Sequence, residues 1–411
     1  MAATRAETLR ATLRAKPPEA PEYATEVVDL LLQAVAEMGA SDLHLQPVRD
    51  GLEVRWRVDG VLHPALVLPG TAGPRVVGRL KVLAELLTYK TEVPQEGRIR
   101  RAPGESEMRL STLPTLHGEK AVVRLFAGTG RYKRLNDLGF PEELRDRLGS
   151  LLQATSGAVV FCGPAGSGKT TTIYACLRDL VETTEGRRSL ATLEDPVEVP
   201  LDGVAQSQAN PGAGFTMNVG LRALLRQDPE VIGVGEIRDR DTAEVAFQAS
   251  LTGHLVLTTF HAGSAAEAVG RLADMGVEPY LLRSGLLAVV GQRLVRTLCG
   301  CSAWSDDPAL RLGLDVSRFR VPVGCDACGG TGYRGRVILA EMLTTESDAV
   351  ARAILGRAEV SRVEAAAVSA GMLTRWDRAA AAVEAGVTSP AEVRLVLGVR
   401  SGFATNSDAG P

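Results

Sequence analysis

The segment Gly163-Pro-Ala-Gly-Ser-Gly-Lys169-Thr170 has the composition of a phosphate cradle and the spacing G-x-x-x-x-G-K-T. Glycines let the backbone wrap so closely that several N–H groups point at one anion. Lys169 supplies a point charge for the β- and γ-phosphates of ATP, and the Thr170 hydroxyl supplies a ligand for Mg²⁺. The candidate nucleotide-binding residues are Gly163, Pro164, Gly166, Ser167, Gly168, Lys169, Thr170 and Thr171.

Two acidic groups stand where α/β folds bind their ligands, after apolar strand-like runs. One is Glu194-Asp-Pro-Val-Glu198, the other Gly235-Glu236-Ile-Arg-Asp239. Phosphoryl transfer to water needs a positioned water and a metal with a carboxylate nearby, and two strand-end carboxylates can share those tasks. A loop carboxylate can equally cap a turn or pair with arginine, and Asp195 and Glu198 are open to both readings. A third cluster is Cys299-Gly-Cys301 with Cys325-Asp-Ala-Cys328. Four thiolates suit a structural, tetrahedral Zn²⁺, although the close C-x-C pair is expected to strain a shared site; the alternative is reduced structural thiols.

These residues need a scaffold. Ala158–Cys162, Ser189–Leu193, Val231–Val234 and Leu255–Thr259 read as buried strands, with helices between them. That alternation implies an α/β domain with a mostly parallel sheet, over 139–345 and including the cysteine loop 299–328. Before it, helical spacing over Val27–Met38 and Pro74–Leu87 is mixed with strand patterns at Leu43–Leu45, Leu52–Val58, Glu107–Ser111 and Lys120–Leu125. This predicts a smaller α+β module over 23–127, joined by a linker at 128–138. Residues 1–22 read as a flexible tail, 346–398 as a helical region and 399–411 as a disordered tail.

The chain has 411 residues and a formal net charge of -3, with only 4% aromatic residues. No basic tract interleaved with aromatics is present, so nucleic acid is not the expected partner. No secretory signal is evident, and the run Leu281–Leu298 is broken by Arg283, Gln292, Arg293 and Arg296. A cytoplasmic protein is expected, with any membrane contact made through a partner protein.

Further motifs resemble those of the motor ATPases of type II secretion, type IV pilus assembly and competence. They are Ala40-Ser-Asp-Leu-His-Leu45, Arg57-Val-Asp-Gly60, Gln95-Glu-Gly-Arg98, Gly118-Glu-Lys120, Leu193–Glu198, Leu221–Pro229, Gly235–Asp239, Thr252–His261 and Gln292–Arg296. The resemblance spans roughly 25–397. It implies a PAS-like module joined to a RecA-like P-loop domain, assembled as a homo-hexamer. ATP would sit in a cleft between modules, and hydrolysis would drive a membrane platform and the polymerisation of pilin-like subunits. By motif, Glu194 is the water-activating base and Glu236 the Mg²⁺-side carboxylate, or the two exchange roles. His261 senses the γ-phosphate and His254 orients its loop. Arg98 and Arg109 approach the phosphates when the modules close. Arg222 and Arg226, one helical turn apart, share a face toward nucleotide or a neighbouring subunit. The cysteine loop fits assembly or secretion motors rather than retraction motors. The larger family members carry a further N-terminal docking domain, which is not expected here. Two other functions compete: a nucleotide-gated scaffold with weak hydrolysis, and a RecA-like nucleic-acid translocase.

Overall fold

A computed structural model describes residues 2–14, 16–99, 108–125 and 134–399. The chain divides into two compact units. The first comprises Met1–Gly130, Leu298–Ala303 and Pro322–Gly335; the second comprises Arg131–Thr297, Trp304–Val321 and Arg336–Pro411.

In the first unit, helices α1 (Ala2–Arg14), α2 (Tyr23–Glu37) and α3 (Gly73–Leu83) accompany six strands. These are β1 (Asp42–Val48), β2 (Gly51–Val58), β3 (Val61–Pro69), β4 (Gln95–Ile99), β5 (Met108–Thr115) and β6 (Gly118–Leu125). They form one sheet in the order β3-β2-β1-β6-β5-β4, antiparallel throughout. Alternation sets its two faces: Leu43, Leu45, Val54, Trp56, Leu110 and Val123 are buried, while residues between them are more open. Val27, Val28, Leu31, Leu32 and Val35 of α2 fall on one helix face and join this core. Each such aliphatic side chain contributes roughly 1.5–3 kcal/mol when fully buried.

The tail expected over 1–22 is corrected here. Residues 2–14 are helical, and Leu9 and Leu13 are buried in the same core. Leucines four apart give even a short polar segment an apolar stripe. The linker expected at 128–138 and the tail expected at 399–411 fall largely outside the described residues. The described part of the linker includes the 3-10 turn Leu135–Asp137, whose Leu135 is buried.

The second unit holds a seven-stranded sheet ordered β15-β12-β7-β11-β10-β8-β9. Its strands are β7 (Gly157–Cys162), β8 (Leu190–Glu194), β9 (Ala205–Gln208), β10 (Val231–Val234), β11 (Leu255–Phe260), β12 (Leu286–Leu298) and β15 (Tyr333–Thr344). The pairs from β12 through β9 are all parallel. A short pair, β13 (Ala303–Ser305) with β14 (Phe319–Val321), stands apart. Helices α4 (Glu142–Leu151), α5 (Lys169–Thr183), α6 (Met217–Leu224), α7 (Arg240–Leu251), α8 (Ala265–Asp274) and α9 (Pro279–Gly285) alternate with the strands. The chain then runs into α10 (Asp348–Leu355), α11 (Val360–Ser369), α12 (Arg375–Glu384) and α13 (Pro390–Leu397). Among the described residues, no helix is long and apolar enough to cross a membrane. The apolar run at 281–298 is mostly strand β12.

The cysteine segments were expected inside the second domain, yet they cluster with the first unit. Cys299 N–H donates to the Gly332 carbonyl at 2.8 Å, and Gly335 N–H donates to Asp59 Oδ2 at 2.9 Å. Gly324 and Gly332, both at positive φ, have no room for a Cβ against Gly330 and Pro322. That close folding of the loop returns the chain to the turn between β2 and β3, where Asp59 lies.

Candidate active site

Strand β7, buried at every position, delivers the loop 163–168, and α5 begins at Lys169. At Gly163 a Cβ would lie 2.4 Å from Ser167 Oγ and 2.6 Å from the Gln292 carbonyl. Gly168, with φ 92°, precedes the helix in the left-handed region. Lys169 is 8% exposed, and its Nζ donates to the carbonyls of Gly163 (2.7 Å) and Pro164 (3.0 Å). Burial pulls the Lys169 pKa down, and the Glu236 carboxylate is the chief opposing influence. Ser167 Oγ is buried without a hydrogen-bond partner among the described residues. A tight cradle, a buried ammonium and an unsatisfied hydroxyl fit a polyphosphate. Thr170 and Thr171 occupy the exposed first turn of α5.

Glu194 ends β8 and is 5% exposed. Its oxygens accept hydrogen bonds from the Tyr174 hydroxyl, from Thr192 Oγ1 at 2.6 Å and from Gln206 Nε2 at 3.0 Å. Thr170, Tyr174, Thr192, Glu194, Gly235 and Thr259 line one small cleft. The carboxylate therefore shares a cavity with the candidate Mg²⁺ hydroxyl. Burial, then the Glu194 bond, pushes the Tyr174 pKa upward, which keeps that hydroxyl a donor. Tyr174, Thr192 and Gln206 were not singled out from the sequence. Tyr174 had a readable signal, since it falls one helical turn after Thr170.

Glu236 follows β10. Its Oε1 lies 2.8 Å from His261 Nε2, and its Oε2 accepts from Arg238 Nε at 2.7 Å. Arg238 Nη1 also donates to Asp195 Oδ2 at 3.3 Å, so Asp195 pairs with arginine. Glu198 lends a backbone N–H to the Tyr174 hydroxyl at 3.1 Å. The His261 carbonyl accepts from Arg271 Nη1 at 2.5 Å. His254 lies elsewhere: its Nδ1 sits 3.1 Å from the Ala249 carbonyl, bracing the turn between α7 and β11. The ends of β7, β8, β10 and β11 thus bring together Lys169, Thr170, Glu194, Glu236 and His261.

Arg222 Nε donates to Asn218 Oδ1 at 2.8 Å on the open face of α6, whose Leu221 and Leu224 are buried. The shared helix face with Arg226 is corrected: α6 stops at Leu224, and Arg226 lies on the turn that follows. Asp228, at φ 52°, and the following Pro229 do not continue a helix.

Arg98 and Arg109 belong to the first unit, directly opposite each other on β4 and β5. The same row continues through Arg124 on β6, Asp42 on β1 and Arg57 on β2. Asp42 is 6% exposed and binds Arg124 Nε at 3.1 Å and Arg57 Nε at 3.3 Å. The row's regularity was hidden in the sequence because it depends on strand register.

In the cysteine cluster, all four sulfurs lie within 4.8 Å of one another. Neighbouring separations are 3.8 Å (Cys299–Cys325), 3.9 Å (Cys301–Cys328) and 3.8 Å (Cys325–Cys328). Zn–S bonds of about 2.3 Å in a tetrahedron place sulfurs about 3.8 Å apart, so the four side chains fit the ion. The C-x-C spacing does not keep its sulfurs from converging. Burial opposes the Cys328 thiolate, but N–H donors from Cys325 and Gly332 prevail and bring it down to about 6.

A family model described as type II/IV secretion system protein matches residues 19–395. The type IV pilus assembly ATPase TfpB of Acinetobacter baylyi is 38% identical over 388 residues, 92% of this chain and 66% of that protein. The type II secretion system ATPase E of Vibrio cholerae is 42% identical over 330 residues, 78% of this chain and 65% of that one. The chain thus spans about two thirds of the length of these two relatives. Among solved structures, the Legionella pneumophila ATPase DotB superposes with TM-score 0.66 at 23% identity, covering 89% of this chain and 94% of that chain. The retraction motor PilT with bound ADP gives TM-score 0.54 at 22% identity, covering 86% and 95%. These two likenesses show a shared mixed α/β fold. The match over 19–395, together with the relatives' identity, places the chain in the type II/IV secretion system protein family.

Proposed function

We propose that the chain is a mechanochemical ATPase that powers pilin or pseudopilin assembly for secretion, pilus or competence machinery. The observation that carries this reading is the convergence of the 163–170 cradle with Glu194, Glu236 and His261 at adjacent strand ends. The second unit acts as a RecA-like domain and the first as its PAS-like partner. Lys169 and the loop amides hold the phosphates; Thr170 and Glu236 would hold Mg²⁺, which would supply charge neutralisation at the phosphoryl group. Glu194 orients water and takes its proton. His261, bonded to Glu236, reports the γ-phosphate. Arg98 and Arg109 bring guanidinium charge to the transition state, and Arg222 and Arg226 face nucleotide or a neighbour. The relatives' names support ATPase activity in type II secretion or type IV pilus assembly. With that reading goes a homo-hexamer working with an inner-membrane platform from the cytoplasmic side.

The test is ATP hydrolysis by wild type and Lys169→Ala, with and without single-stranded DNA. Wild type is expected to turn over and the variant to lose nearly all activity. DNA stimulation would instead favour a translocase, and no turnover in any oligomeric state would favour a scaffold.

The cysteine cluster is proposed as a structural Zn²⁺ site, supported by its sulfur spacing. One zinc per chain is expected by metal analysis. Cys325→Ser is expected to release it and lower the melting temperature by several degrees, because structural zinc contributes folding energy. A stoichiometry near zero in freshly purified protein rejects the ion.

A further inference from the structure

Glu341 lies on β15 and is 1% exposed. Burying a carboxylate this deeply is costly unless every oxygen is partnered. Its Oε1 accepts from Ala265 N–H at 2.8 Å and from Arg375 Nη1 at 3.3 Å, and its Oε2 from Arg375 N–H at 2.9 Å. Ala265 opens α8, immediately after the turn that carries His261, and Arg375 opens α12. One carboxylate therefore ties together the N-terminal ends of two helices, where negative charge is favoured.

The same carboxylate sits against the strand that flanks the phosphate loop. A Cβ on Gly291 would lie 2.9 Å from Glu341 Cγ. The next residue, Gln292, donates from Nε2 to Thr172 Oγ1 on α5 at 2.8 Å. The Gln292 carbonyl abuts Gly163 and accepts from Arg293 Nη1 at 2.9 Å. Arg293 Nη2 in turn donates to the Gly263 carbonyl at 2.8 Å, two residues after His261. Burial and then the Arg375 charge depress the Arg293 pKa, while Cys162, Glu341 and Glu267 oppose that. The groups form one connected chain, from α5 through Gln292 and Arg293 to the 261–264 turn, and through Glu341 to α12.

We infer that Glu341 is a positioning residue for hydrolysis: its charge offsets both Arg293 and Arg375, fixing the 261–264 turn beside the phosphate loop. The inference rests on the ATPase reading. Without that charge, the repulsion between Arg293 and Arg375 is offset less, Arg293 loosens from Gly263 O, and His261 and Glu236 lose their registration to the cradle. The same link ties the nucleotide site to the helices that begin at Arg375.

The experiment uses the full chain and compares wild type, Glu341→Gln, Arg375→Gln and the double variant. Steady-state kcat and KM for ATP and the melting temperature are measured for each. Glutamine keeps the volume and can still accept from Ala265 N–H, but it removes the charge that lies between the two arginines. Glu341→Gln is expected to lower kcat about tenfold to a hundredfold, the scale of a small misplacement of catalytic groups, with KM changed by less than about threefold. Adding Arg375→Gln removes one of the repelling charges and is expected to restore most of kcat. A purely packing role predicts no rescue, so an unrecovered double variant overturns the inference, as does a wild-type kcat in Glu341→Gln. Should Glu341→Gln fail to fold, Arg293→Gln removes the link from β12 to the Gly263 carbonyl that Glu341 is inferred to hold: a lowered kcat at unchanged KM is expected, and an unaltered kcat overturns the inference. An active wild type beside unaffected variants defeats this inference alone, whereas an inactive wild type defeats the ATPase reading beneath it.

Discussion

Glu194→Gln is expected to cut steady-state ATP hydrolysis by about 10³, within the range for loss of a general base, while nucleotide affinity stays within about threefold. The asymmetry follows from the geometry. Glu194 is not part of the 163–170 cradle and makes no bond to Lys169, so charge on the bound phosphates is met as before. What changes is the carboxylate that shares a cleft with Thr170. Three donors already converge on it from Tyr174, Thr192 and Gln206. They hold the side chain in one orientation, so that a remaining lone pair can accept from water. An amide at this position turns two N–H groups toward those donors, and it can neither take a proton nor hold that orientation. The check is single-turnover hydrolysis beside equilibrium binding of a fluorescent nucleotide. Turnover within threefold of wild type would remove Glu194 from the chemistry. Glu236→Gln is the internal comparison, because its side chain is engaged by His261 and Arg238 instead. Loss of Mg²⁺ affinity in Glu236→Gln and not in Glu194→Gln is expected. The reverse pattern would exchange the two roles.

How visible these parts were in the sequence depends on how local their causes are. The phosphate loop was fully legible, because glycine, lysine and threonine act within eight consecutive residues. Strand ends bearing Glu194 and Glu236 were legible for a similar reason: short buried runs stop at a charged residue. Strand β12 was not, since Gln292, Arg293 and Arg296 interrupt its apolar run. Each of those polar residues has a partner remote in sequence. Gln292 reaches Thr172, Arg293 reaches Gly263, and Arg296 pairs with Glu392 at 2.5 Å. No periodicity records a partner that lies 30 to 120 residues away. Glu341 was invisible on the same grounds, being an acid inside a strand whose partners begin two distant helices. The cysteine pairs were legible as four thiols, but their packing with the first unit needed the fold-back at Gly324–Gly332.

Arg98→Ala is expected to leave ATP binding nearly intact and to remove most turnover, by about 10³ or more, the scale of an arginine finger. Guanidinium stabilisation matters most where charge builds in the transition state, so its loss falls on kcat rather than on affinity. Arg98→Lys is expected to recover little, because an ammonium lacks the planar fork that meets two oxygens at once. The register supplies a control on the same sheet face. Arg57, at the far end of the row, is anchored to Asp42 at 3.3 Å, and Arg57→Ala is expected to act mainly on the stability of the first unit. Equal losses of turnover in Arg57→Ala and Arg98→Ala would show a general weakening of the module and no special role for Arg98. Mixing Arg98→Ala with Lys169→Ala subunits carries the argument one step further. Each variant alone lacks one half of the charge arrangement, but a mixed oligomer places an intact Arg98 beside a neighbour's intact cradle. Recovered hydrolysis assigns Arg98 to the neighbour's nucleotide, and persistent inactivity assigns it to its own, because only a shared site can be rebuilt from two broken halves.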